Sequence, residues 1–186
     1  ELDDELAALL DEDMDLRLVL PPGEVEVDDE WELDARLYLA FMWPSGLVEW
    51  RDEDQEGDTS VEDRARNLQT IENLAGEGRA RLLELRDEDG RTLAVIEVEL
   101  DVETSLEFEV EEVGTITTRI AREVAGQILW DVAAGYAVSA ELEGEGVRET
   151  TRPRTHESEE GEVFEYEETE RMEGTVRYVA TIEREE

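Results

Sequence analysis

A mainly β fold is what this sequence predicts: a single-domain β-sandwich or jelly-roll barrel with two or three short helices, on three observations. From Ile96 to Val110, apolar and acidic residues keep the same parity on both sides of Thr104-Ser105. Ile96, Val98, Leu100, Val102, Leu106, Phe108 and Val110 face one way, and Glu97, Glu99, Asp101, Glu103, Glu107, Glu109 and Glu111 the other. A period of two is that of a strand with one buried and one solvated face. The second observation is the run from Trp31 to Trp43, apolar at every odd position. The third is the set of turn-forming clusters between such runs: Pro21-Pro22-Gly23, Pro44-Ser45-Gly46 and Asp87-Glu88-Asp89-Gly90.

Taken in order, residues 1–14 read as an N-terminal helix or arm, with Leu2, Leu6, Leu9 and Leu10 on one helical face and acids in the first turn, where the helix dipole favours them. Residues 15–186 read as one β-rich domain, beginning with the alternation Leu16, Leu18, Leu20. Trp31–Trp43 is the next strand, and Leu47–Arg51 its partner across Pro44-Ser45-Gly46. Ser60 then stands as the cap of a helix that turns Val61, Ala65, Leu68, Ile71 and Ala75 inward, with Gly76 and Gly78 ending it. The hairpin turn Asp87–Gly90 joins RARLLELR to RTLAVIEVEL. A break near Thr104-Ser105 is expected to divide the long alternation, because strands usually run about 3–10 residues. Ile116, Ile120, Val124, Ile128 and Val132 recur every fourth residue and predict a helix ending at Gly135. Three strands follow, Tyr136–Leu142, Val163–Glu167 and Thr175–Glu183, with a polar loop from Gly144 to Glu162 between the first two.

Charge sets the conditions. Asp and Glu number 55 against 17 basic residues, all of them Arg, giving a net charge of -38 on 186 residues. In dilute buffer such charge pushes a compact chain apart. At 1 M salt the Debye length is only about 3 Å, and neighbouring carboxylates scarcely feel each other. A disordered acidic tail would need few apolar residues. Here they make up 39% and fall in regular alternation, so the chain folds. The absence of Lys fits the same setting, since Arg is the less strongly hydrated cation and can hold carboxylates in bidentate pairs. Acidic, Lys-free, Arg-only composition resembles that of proteins from haloarchaea and their viruses.

The same numbers exclude several functions. Nucleic acid as a partner needs a basic footprint, which is missing. With no Cys there are no disulfides or thiolate metal sites. No apolar run approaches the roughly 18 residues of a membrane-spanning helix. No G-x-S-x-G, P-loop or H-E-x-x-H is present, so the chain reads as a non-enzyme with no identifiable small-molecule substrate.

Two segments carry chemistry. Asp52, Asp54, Glu56 and Asp63 stand at positions 1, 3, 5 and 12 of an acidic loop with Gly57 at position 6 and Asp58 after it, as in a twelve-residue calcium loop. Calcium needs several oxygen donors around one point, and the glycine permits the turn that converges them. Asp63 is shorter than the usual Glu, and a solvated loop before a capped helix explains the same residues. The second segment is Arg148, Arg152, Arg154 and His156, the only basic cluster in the chain. It reads as an interface for an acidic neighbour, together with the leucine face at Leu2, Leu6, Leu9 and Leu10. The competing reading is neutralisation by Glu149, Glu157, Glu159 and Glu160.

In composition, size and strand segments such as WELDARLYLAFMW, LAVIEVEL and GTVRYVATIERE, the chain resembles the smaller major capsid protein of icosahedral, internal-membrane haloarchaeal viruses. The resemblance implies an upright single jelly-roll barrel, a place in the virion, and contacts with copies of itself and with other virion proteins. No family motif is present, so no functional residue carries over. The alternative is a binding module in the cytoplasm of a halophilic archaeon, with calcium as its cofactor.

Overall fold

A computed structural model describes residues 16–42, 69–110, 113–157 and 163–182. Within them lie six strands: β1 (Glu30–Leu33), β2 (Ala75–Glu88), β3 (Arg91–Val110), β4 (Gly114–Asp131), β5 (Tyr136–Glu157) and β6 (Val163–Thr181). They form one antiparallel sheet whose order follows the chain from β1 to β6. The chain is mainly β, as the alternation predicts. Each strand pairs with its neighbour in sequence, so the sheet is a meander. The expected turn before Arg91 is present, with Asp89 and Gly90 both at positive φ (52° and 79°), the geometry a two-residue hairpin requires. Between β4 and β5 the Asp131 carboxylate accepts the backbone N–H groups of Ala133 and Ala134 at 3.0 and 2.8 Å.

Cross-strand register sorts the residues into two faces. One row of the inner face runs Trp31, Ala80, Val98, Gly126, Leu142 and Tyr178; the next runs Leu33, Gly78, Leu100, Val124, Gly144 and Val176. With Leu16, Val19 and Leu37 these rows build the core, in which Val19, Leu37, Val98, Ile128 and Leu142 are fully buried. Trp31 ties the N-terminal segment down by donating its indole N–H to the Val19 carbonyl at 2.9 Å. At Gly126 and Gly144 the neighbouring backbone comes too close for any side chain. A Cβ there would overlap the carbonyl oxygens of Glu141 and Glu123 and lie 2.8 and 2.7 Å from the next Cα atoms.

A short helix, α1 (Leu37–Met42), covers the inner face. The Asp34 carboxylate starts it by accepting the Arg36 backbone N–H at 2.9 Å, while the Asp34 carbonyl accepts that of Leu37 at 3.0 Å. The Arg36 side chain, hydrogen-bonded to the same carboxylate, holds it below the usual carboxylate range. Tyr38 fixes the helix to the far strand. Its hydroxyl lies 2.9 Å from that of Tyr178 on β6, and the two rings meet edge to face at 5.9 Å. Burial, then the bond to Tyr178, pushes the Tyr38 hydroxyl well above the ordinary tyrosine value. Arg122 closes the group by donating to the carbonyls of Ala121 and Val147 at 2.9 and 3.3 Å.

Five expectations need correction. The strand expected over Trp31–Trp43 stops at Leu33 and becomes α1. Tyr38 and Ala40 fall at even positions and are buried like the odd ones, so the alternation ends at Leu37. The expected helix at 116–132 is β4. Its fourfold spacing is also a multiple of two, and the i+3 positions Arg119, Glu123 and Gln127, which a helix would bury, are exposed. β3 passes Thr104-Ser105 unbroken, with the buried Thr104 hydroxyl donating to the Thr70 carbonyl at 3.0 Å. Ala75, Gly76 and Gly78 belong to β2, not to a helix end; residues 69–72 are helical, and the expected cap Ser60 lies outside the described residues. Finally, the first part of the loop expected from Gly144 is the second half of β5, running to Glu157.

Candidate functional site

The basic cluster becomes a line. Arg148, Arg152, Arg154 and His156 occupy alternate positions of β5, so they share the inner face beyond the end of the core. This corrects the expected loop: a strand places Arg152, Arg154 and His156 in one row roughly 7 Å apart, with Arg148 roughly 14 Å before Arg152. Opposite them on β6 stand Met172, Glu168, Tyr166 and Phe164. Pairing of β4 with β5 ends at Thr151, so the last part of the β5–β6 hairpin is a two-stranded ribbon. Pro153, which cannot donate to a ladder, falls within that ribbon.

The arginines of the ribbon are already partnered within the chain. Arg152 and Arg154 each donate through Nε to Oε2 of Glu168, at 2.9 and 2.7 Å, and Arg152 also lies 3.9 Å from Glu170. Those bonds, Arg154 first and Arg152 second, hold the Glu168 carboxyl below its usual range. Of the neutralising acids expected from sequence, Glu149 instead accepts from Arg171 at 2.7 Å, and Glu159 and Glu160 lie outside the described residues. The acid that does the work was missed, because it sits on the next strand and only register reveals it. Arg148 has no carboxylate partner among the described residues.

A feature that the charge-based reading overlooked is the apolar content of β6. Val163, Phe164, Tyr166, Met172 and Val179 are all more than half exposed, and other large exposed hydrophobics are scattered singly. Tyr166 and Phe164 stand beside Arg154 and His156 on the same face. Arginine and aromatic side chains in one exposed strip suit contact with another protein surface. The alternation Phe164, Tyr166 with acids between was the available signal; it was read only as a short strand.

The outer face is the reverse of this. Glu77, Asp101, Glu123 and Glu145 stand directly opposite one another across four strands. With Glu32, Glu99 and Glu143, and Arg79 as the only cation, they line a concavity of about 730 Å³. Among the described residues no three acidic or histidine side chains converge closely enough to hold a metal ion. The calcium-loop candidates Asp52, Asp54, Glu56, Asp58 and Asp63 lie outside the described residues, as do Leu2, Leu6, Leu9 and Leu10. No described helix is long and apolar enough to cross a membrane. The two described carboxyls with shifted pKa values, Asp34 and Glu168, both move down, each held by hydrogen bonds from arginine side chains.

The chain matches no protein-family model, no curated protein and no solved structure.

Proposed function

We propose that this chain is a structural subunit that assembles in high salt, within the shell of a virus of halophilic archaea, through the β5–β6 ribbon. The observation that carries the assembly reading is the exposed strip of Phe164, Tyr166 and Met172 alongside Arg148, Arg154 and His156. In brine, long-range charge attraction is screened to within a few ångströms, so subunits must meet through apolar packing and close Arg–carboxylate geometry. The ribbon offers the apolar surface, and Arg148 beside it has no carboxylate partner among the described residues. The outer face supports the setting, because a cross-strand row of four carboxylates destabilises a sheet unless salt screens it. The viral shell is the setting that the compositional resemblance suggests.

Sedimentation velocity in molar potassium chloride tests the reading. The parent is expected to form dimers or larger species as concentration rises. Phe164→Ser with Tyr166→Ser is expected to keep the circular dichroism of the parent and to sediment as a monomer. Assembly of parent and variant to the same extent would remove the ribbon from the contact. A parent that stays monomeric at every concentration, with the other virion proteins added, would remove the structural reading.

A further inference from the structure

β6 bonds to β5 along one edge and, among the described residues, to no strand along the other. A long unpaired edge is a template for another strand, and proteins that must stay apart blunt such edges with unmatched charges, proline, bulges or a covering element. β6 has no proline, pairs with β5 from Val163 to Thr181 without a register shift, and is exposed along most of its length. Its 19 residues span roughly 60 Å.

We propose that β6 pairs with β6 of a second copy, antiparallel about a two-fold axis at Met172, joining two six-stranded sheets into one. This specifies the first contact of the assembly read above and rests on that reading. A two-fold contact requires a strand that complements itself. Centred on Met172, the pairing uses the whole strand, since Val163 then faces Thr181. Arg171 faces Glu173 of the second copy and Arg177 faces Glu167, each twice by symmetry. Tyr166 faces Tyr178 and Thr169 faces Thr175, while Glu170 faces Gly174, beside which there is open space. No carboxylate stands directly opposite another. Neighbouring registers lose this: centring on Arg171 sets that arginine against itself, and centring on Glu173 does the same to the glutamate. Like charges directly opposite destabilise a strand pair, so charge selects the register and the ladder of backbone bonds holds it.

The chain has no Cys, so one substitution introduces a unique thiol. Met172→Cys places two thiols directly opposite each other across the axis, at a Cβ separation of about 5 Å that a disulfide can close. Thr169→Cys places them six residues out of register, about 20 Å apart. Under a mild oxidant in molar potassium chloride, Met172→Cys is expected to form covalent dimer at least about tenfold faster than Thr169→Cys. Equal rates, or a faster Thr169→Cys, would overturn the pairing. If the parent sediments as an assembly while Met172→Cys stays uncoupled, this contact is wrong and the assembly reading survives. If the parent is monomeric throughout, both fall.

Discussion

Tyr38 shows how much of this fold rests on single polar contacts. It lies on α1, yet its hydroxyl reaches Tyr178 on the last strand and also feels Arg122 on the fourth. Tyr38→Phe keeps the ring and removes the hydrogen bond, with an expected loss of about 1 kcal/mol in urea unfolding at fixed high salt. The pH dependence has a definite sign. Burial raises the hydroxyl pKa in the folded chain, so the folded form holds that proton more tightly than the unfolded one. Stability should therefore be unaffected by this group below the unfolded tyrosine value of about 10 and fall as pH rises past it. Tyr38→Phe should flatten that decline, and an unchanged slope would show that another group sets it. Arg154 makes the contrasting case. It is bonded to Glu168 but exposed to solvent, so Arg154→Ser should leave the urea midpoint unchanged. None of these pairings was legible in sequence, because Tyr38 and Tyr178 stand 140 residues apart.

At the scale of elements, what was legible depended on whether one rule governed a segment. From Ile96 to Val110, β3 keeps the parity that the sequence shows, with the apolar residues on the more buried face. β4 obeys two rules, since a fourfold spacing satisfies both a helix and a strand; the polar i+3 positions decide for the strand. The β5–β6 ribbon was hidden for a different reason. Gly144, Gly146, Thr150, Thr151 and Pro153 read as loop residues, and pairing with β4 and β6 overrides that local preference. Two substitutions test the packing. Gly126→Ala pushes a methyl into the Leu142 backbone and should cost about 2 kcal/mol or more. Leu37→Ala empties a fully buried site under α1 and should cost about 3 kcal/mol. Urea melts in molar salt measure both; a cost below about 1 kcal/mol at either would show that the packing around that residue is loose.

For the whole molecule, net charge and β class could be read directly from composition and periodicity, whereas strand order could not, because a single sequence does not record which strand pairs with which. The register adds a physical reason for the composition. Glu77, Asp101, Glu123 and Glu145 form one row, and adjacent strands lie about 4.8 Å apart. At 0.01 M salt the Debye length is about 30 Å, so the whole row repels itself; at 1 M it is about 3 Å, shorter than the strand spacing. Asp101→Asn with Glu123→Gln removes the two central charges and should lower the salt concentration needed for folding. The most direct test of the proposed working environment is thermal unfolding followed by circular dichroism across a potassium chloride series. The β signal should melt at a temperature that climbs steadily from tens of millimolar into the molar range. A melting temperature that stays level or falls as salt is added would contradict the reading of this chain as a protein built for brine.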